Sequence, residues 1–250
     1  EPNARPYLNL ESLPSSYDIK KAEKSPIYSY FIKHPEQGDL LFDAGLDHSF
    51  NIKPFGSLHL MLRMYQGKTK TFYEQESNQN IGYWLNEYRI NPAMVFMTHL
   101  HPDHICGLLE LEDSLKVVFG KKENSFYYKA IAGKYFSNKN LFTMDFDKSI
   151  SIYPFSKVID LFGDGSIWAI STPGHTVDHI SYLINIKNNP VLLLGDLSVS
   201  KEYLIDNIES SCDSDKIGIQ QLRNSLKELK EFKKVYSKVK IYFSHSDEIY

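Results

Sequence analysis

With 250 residues, 42% of them hydrophobic and 24% charged, the chain has the composition of an ordinary globular protein with enough apolar material for a sizeable core. A formal net charge of −3 gives no electrostatic reason to gather nucleic acid or an anionic membrane surface, and no apolar run approaches the roughly 18 residues that a spanning helix requires. Nucleic acid and membrane are therefore not expected partners. The two cysteines, Cys106 and Cys212, stand far apart and outside any Cys-x-x-Cys spacing, which argues against a disulfide framework and a zinc ribbon.

No charged-then-apolar leader is visible in EPNARPYLNLE, yet the chain starts at Glu1 without Met, so residues ahead of it are expected to have been removed. Cytoplasmic and exported locations both stay open. With no repeat, low-complexity run or flexible linker, the expectation is a single domain over 1–250 with a helical insertion at about 52–90.

In chain order, YSYFIKH and DLLFDAGL flank the turn signal PEQG and read as a hairpin whose second strand ends at Asp43. Met61, Leu62, Met64 and Tyr65 are apolar residues of the insertion, suited either to a substrate pocket or to a homodimer contact. The polar stretch GKTKTFYEQESNQN, 67–80, reads as a loop excursion. Ile81, Trp84, Leu85 and Tyr88 fall at i, i+3, i+4 and i+7, which predicts an amphipathic helix.

AMVFMT is then a short strand delivering His99 to its end, KVVFG the next strand, and SFYYKAIAGKYF a helix. DLFGDGSIWAIS reads as a hairpin turning at Gly163, Asp164 and Gly165. ISYLINI and PVLLLGD, split by KNN, form another strand pair that terminates at Asp196. Leu222, Leu226, Leu229 and Tyr236 keep helical spacing in a Lys/Glu-rich segment with Asp215 as N-cap, and VKIYFSHSD closes the chain as a strand running into His245.

The densest cluster of ligand-type side chains is H-L-H-P-D-H, from His99 to His104. His99 and His101, one residue apart, can project together from an extended loop, while Asp103 and His104 open the following helix and point elsewhere, so two neighbouring pockets result. His175, Asp196 and His245 each follow a short apolar strand as His99 does, and loops at rigid strand ends are where sites are built. Imidazole and carboxylate donors suit zinc and other borderline divalent ions, which points to a two-metal centre. Cys106 reads as a small packed residue at the first turn of a helix, and His34, His48 and His59 lack partner motifs.

These pieces resemble the metallo-β-lactamase fold superfamily: its HxHxDH signature at His99–His104, an aspartate ending an early strand (LLFDAG, Asp43), TPGHT (His175), GD after an apolar strand (Asp196) and a late histidine (His245). They run in the family's order from about residue 28 to 247. The resemblance implies an α+β fold, a four-layer αββα sandwich with the site at one edge between the sheets. It implies that His99, His101 and His175 hold one metal, that Asp103, His104 and His245 hold the other, and that Asp196 bridges them. Asp43 and His179 would steady the ligand loops from behind. Two divalent ions are expected, zinc first, with Fe, Mn or Co as alternatives.

The reaction implied is hydrolysis, with a hydroxide shared by cations roughly 3.5–4 Å apart attacking a carbonyl or phosphoryl group, and with Asp103 and Asp196 as its carboxylates. Among the family's branches, Asp196 stands where class B1 and B2 β-lactamases carry Cys. The sequence stops five residues after His245, so the C-terminal helical domain that glyoxalase II enzymes usually add is not expected. A basic RNA-binding arm and a flavin domain are not seen either. The pattern is most similar to the N-acyl homoserine lactone lactonases, which implies a lactone or ester of a small molecule as substrate. A phosphodiesterase acting on a small phosphodiester and a catalytically silent metal-binding or sensing module are the alternatives. Those lactonases generally carry a Tyr about three residues after the bridging Asp; here that position is Val199, and Tyr203 is the nearest tyrosine.

Overall fold

The computed structural model describes residues 7–12, 23–69, 71–123, 132–186, 189–206 and 216–250. In chain order the first elements are β1 (Tyr7–Ser12), β2 (Glu23–Ile27), β3 (Tyr30–His34), β4 (Gly38–Phe42), α1 (Leu60–Thr69), β5 (Thr71–Glu74), α2 (Ile81–Glu87), β6 (Pro92–Phe96), α3 (Pro102–Ile105) and β7 (Lys116–Gly120). Then come β8 (Asn140–Met144), β9 (Ile150–Ile152), β10 (Phe155–Asp160), β11 (Ile167–Ser171), β12 (Ile180–Ile184), β13 (Val191–Leu193), α4 (Lys201–Asp206), α5 (Lys216–Val235) and β14 (Lys240–Tyr242). The chain divides into two compact units, an N-terminal one of Pro2–Val118 with Ser125–Phe142 and a C-terminal one of Phe119–Asn124 with Thr143–Tyr250.

Among the described residues, the N-terminal unit is organised on a sheet of order β3-β4-β6-β7-β8, whose β7 and β8 run on past its boundary. β3 and β4 form the expected antiparallel hairpin, whereas β4, β6 and β7 run parallel. Leu40, Leu41 and Phe42 are buried in succession, as are Val95, Phe96 and Met97. Such unbroken apolar runs mark strands covered on both faces. A smaller sheet of order β2-β1-β5 joins the insertion to the start of the chain.

That second sheet differs from the sequence reading, which made 67–80 a loop. Thr71–Glu74 pairs antiparallel with β1, in a register that sets Tyr73 opposite Leu10. Thr71, Phe72 and Tyr73 are β-branched or aromatic residues that favour a pleated surface, and their propensity wins over the polar count of the surrounding stretch. The insertion is thus α1, a strand and α2 rather than helices alone. Met61 and Met64 on α1 are more than half exposed, at 57% and 60%. The helix expected at 125–136 falls mainly on residues outside those described, and its tail, Gly133–Phe136, is a 3-10 turn.

Among the described residues, the C-terminal unit is organised on a sheet of order β14-β13-β12-β11-β10-β9, antiparallel throughout except for the parallel pair β13–β14. The β10–β11 turn is tied by the Asp160 carboxylate, which accepts from the backbone N–H of Phe162, Gly163 and Gly165 at 3.3, 3.0 and 2.8 Å. In α5, Leu222, Leu226, Leu229 and Phe232 form one buried stripe that packs with Ile170, Leu192, Ile241 and Phe243. Tyr236, placed on that stripe from the sequence, lies beyond the helix end and is 45% exposed. Asp215 and Cys212 lie outside the described residues. No described helix is long and apolar enough to cross a membrane.

Leu222 is fully buried in this stripe. Leu222→Ala is expected to lower stability by about 2–5 kcal/mol through the cavity it leaves, read from urea denaturation. A loss below about 1 kcal/mol would contradict the packing described.

Candidate metal centre

In the N-terminal unit the site begins where β4 and β6 stop. Asp43 follows β4 in the left-handed region at φ 56°, a conformation that Asp tolerates better than most residues, and it is buried. Its Oδ1 accepts from the Thr98 backbone N–H at 2.7 Å, and its Oδ2 accepts from the Thr98 hydroxyl at 2.8 Å. The same Oδ2 lies 2.8 Å from Nδ1 of His104. A carboxylate only accepts, so this contact assigns the proton to Nδ1 and leaves the lone pair of His104 on Nε2.

The Thr98 hydroxyl has a single proton, which it gives to Asp43. Its 2.9 Å contact with Nδ1 of His99 must therefore run from the ring N–H to the threonine oxygen. His99 thus also presents the basic Nε2. Both rings are fully buried, their centroids 4.1 Å apart, and the His101 ring meets His99 edge-on at 4.5 Å. His99 and His101 each place a ligand-capable nitrogen within 4.8 Å of the other, and Asp103 and His104 do the same with an oxygen and a nitrogen.

Pro102 occupies the first turn of α3, where a missing N–H costs nothing, and the His101 carbonyl accepts from the N–H groups of His104 and Ile105 at 3.0 and 3.2 Å. The helix is locked onto the loop after β4: Ala44 N–H donates to His104 O at 2.7 Å, and Gly107 N–H to Gly45 O at 2.8 Å. A Cβ on Gly107 would sit 2.0 Å from the Ala44 carbonyl oxygen, so only glycine permits this approach. Burial pushes the Cys106 thiol above its usual range, with the Tyr135 and Ser57 side chains hydrogen-bonding beside it. A buried, protonated thiol suits packing rather than ligation.

In the C-terminal unit, His175 follows β11. Gly174 has φ +139°, and a Cβ there would lie 2.3 Å from Cα of Leu222 on α5. This close approach fixes the loop, and Ser225 on the same helix donates to Pro173 O at 2.8 Å. Asp196 follows β13, and His245 follows β14. One carboxylate oxygen, Oδ2 of Asp196, lies 3.0 Å from Nε2 of His245 and 3.4 Å from Nε2 of His175, and all three residues are buried. Two imidazole nitrogens aimed at one carboxylate oxygen form a donor set of the kind that holds a divalent cation.

His179 has a different place. The Ser181 hydroxyl donates to Leu194 O at 2.8 Å and lies 3.0 Å from the Thr172 hydroxyl, which in turn lies 2.9 Å from Nδ1 of His179. With the serine proton spent, Thr172 donates to Ser181 and accepts from the His179 ring. Nε2 of His179 then accepts the Asp196 backbone N–H at 3.0 Å. Both nitrogens act on the frame around Asp196.

Thr98, Thr172 and Glu123 were not singled out from sequence. Glu123 is buried and accepts from the Thr176 hydroxyl and, at 3.0 Å, from the Asp178 N–H, while Asp178 accepts the Lys122 N–H at 2.8 Å. Burial pushes the Asp178 carboxyl up. These bonds brace the loop between His175 and His179. Thr98 stands beside its partner His99 and Thr172 seven residues before its partner His179, a local signal; Glu123 meets its partners across more than 50 residues and leaves no trace in sequence spacing.

A sequence model of the metallo-beta-lactamase superfamily matches residues 22–245. The chain is 29% identical over 120 residues to the N-acyl homoserine lactonase AttM of Agrobacterium fabrum (strain C58), an alignment covering 46% of this chain and 43% of that protein. The match therefore spans less than half of that relative's length. With the N-acyl homoserine lactonase AttM of Rhizobium johnstonii it is 25% identical over 192 residues, covering 74% of this chain and 68% of that protein. Among solved structures, a B. thuringiensis AiiA mutant with N-decanoyl-L-homoserine bound at the active site matches with a TM-score of 0.73 at 19% identity, covering 96% of this chain and 90% of that one. Identity at that level speaks for a common fold alone.

Removal of the Asp43 carboxylate strands the buried Thr98 N–H and places a less tolerant residue at a left-handed position. Asp43→Ala is expected to destabilise the metal-free chain by roughly 2–4 kcal/mol, and Asp43→Asn, which keeps one acceptor oxygen, by less. Equal urea midpoints for the alanine variant and the parent chain would contradict this account of the loop.

Proposed function

Because the chain belongs to the metallo-β-lactamase superfamily and has its α+β fold, we propose that it is a metal-dependent hydrolase working with two divalent ions. In this reading His99, His101 and His175 hold one ion, Asp103, His104 and His245 hold the other, and Asp196 serves both. The observation that carries it is the orientation of the donors. His99 and His104 are committed at Nδ1 and present Nε2, and His175 and His245 turn Nε2 toward the same Asp196 oxygen. Neutral imidazole with its second nitrogen held by a hydroxyl or carboxylate is the arrangement that metal-ligating histidines favour. Zinc is the first candidate, with Fe, Mn and Co also compatible with such donors.

Divalent ions bound there would supply Lewis acidity and draw a nucleophile from water near neutral pH. The chain's own groups do the rest. Asp43 keeps the proton of His104 on Nδ1, Thr98 does so for His99, and His179 holds the backbone beneath Asp196. Asp103 accepts a hydrogen bond from the attacking water and so orients it toward the substrate carbonyl. The substrate proposed is a lactone of a small molecule, supported by the N-acyl homoserine lactonases among the relatives.

Elemental analysis of the purified protein, combined with a panel of lactone, ester, thioester and phosphodiester substrates, tests this reading. About two equivalents of metal and fastest turnover of a lactone are expected. Preferred cleavage of bis(p-nitrophenyl) phosphate would move the substrate class to small phosphodiesters, and metal retained without any turnover would leave a sensing module. His104→Ala is expected to lower metal content by about one equivalent and nearly abolish hydrolysis. Full turnover after that loss would overturn the two-ion mechanism.

A further inference from the structure

Tyr73 lies in β5, within the insertion, and its hydroxyl is 3.4 Å from Oδ1 of Asp103. The other carboxylate oxygen, Oδ2, lies 3.7 Å from Nε2 of His104. The two oxygens of Asp103 therefore face different neighbours. The Tyr73 ring is held in turn by Phe50, edge-on at 5.7 Å and 84°, in a turn where the Asp47 carboxylate accepts from Ser49 N–H at 2.9 Å and from the Ser57 hydroxyl. A phenol placed by a packed aromatic pair is a fixed donor, not a solvent-exposed side chain that visits the carboxylate by chance.

We propose that Tyr73 is a positioning residue for the reaction above, donating its hydroxyl proton to Oδ1 of Asp103 and so fixing the rotation of that carboxylate. The inference rests on the reading of Asp103 as a metal ligand. The terminal torsion of an aspartate is broad and nearly two-fold, so its oxygens exchange roles unless something distinguishes them. The phenol distinguishes them: Oδ1 is held on the Tyr73 side and Oδ2 is kept toward His104. A separation of 3.4 Å is long for an O–H···O bond, and bonds of this kind shorten when a site takes up its working ligands. The insertion, on this view, supplies a functional group as well as cover. Tyr203, the tyrosine nearest to Asp196 in sequence, lies on α4, where its backbone N–H donates to the Ser200 hydroxyl at 3.3 Å.

Tyr73→Phe keeps the ring against Phe50 and removes only the hydroxyl. In the metal-loaded protein, kcat on the best lactone of the panel is expected to fall about 10–100-fold with KM changed by less than about twofold. A chelator should extract one of the two ions about 10-fold faster than from the parent protein. The melting temperature of the metal-free chain should stay where it was, which a merely structural role for the hydroxyl would not allow. A Tyr73→Phe protein that matches the parent in both kcat and metal release, while the parent holds two ions, overturns this inference alone. Should the parent hold two ions but cleave nothing in the panel, metal release alone decides. A parent protein that retains no metal overturns the proposed function and this inference with it.

Discussion

A buried carboxylate cannot be left without donors, and Asp43 takes three: the backbone N–H and the hydroxyl of Thr98, and Nδ1–H of His104. An ionised acid out of water is tolerated only when hydrogen bonds replace its hydration, so this set is an obligation of the fold. Meeting it ties the end of β4 to the end of β6 and to α3. It also decides the protonation of two imidazoles, because the Thr98 proton spent on Asp43 forces His99 to donate at Nδ1. The direction in which the histidines can bind anything is thus set by one aspartate two loops away.

The C-terminal unit solves the same problem by the same means with different residues. There a threonine hydroxyl at the end of β11 receives Nδ1–H of His179, and the other nitrogen of that ring holds the backbone of Asp196. Around it, Gly174 gives up its side chain so that the loop can touch α5, and Glu123 gathers the N–H and hydroxyl groups of the next turn. Each unit therefore presents imidazole nitrogens and a carboxylate from loops that begin at rigid strand ends and are pinned by buried hydrogen bonds. Preorganisation of this kind is what a metal-dependent hydrolase requires, because ligands that need no rearrangement bind metal without an ordering cost.

Much of this was legible from the chain alone. The HLHPDH run is local, and the apolar strands before Asp43, His99, His175, Asp196 and His245 announce themselves by short hydrophobic blocks bounded by turn residues. The stripe of Leu222, Leu226 and Leu229 follows from the helical period, whereas Tyr236 kept the period but lay past the end of α5, where the end of the helix and not spacing decides burial. What the sequence hid is of one physical kind. β5 exists because β1, some 60 residues earlier, offers it an edge, and Glu123 and Tyr73 acquire their roles from partners 30 to 55 residues away. A hydroxyl or a carboxyl carries no mark of a distant partner in its own neighbourhood.

The proposed function turns on whether His99 and His104 present Nε2 to divalent ions. Diffraction from zinc-loaded crystals at the zinc absorption edge tests it most directly. The proposal predicts two anomalous peaks roughly 3.5–4 Å apart, one beside Nε2 of His99 and the other beside Nε2 of His104. A single peak, or peaks away from these nitrogens, would contradict it.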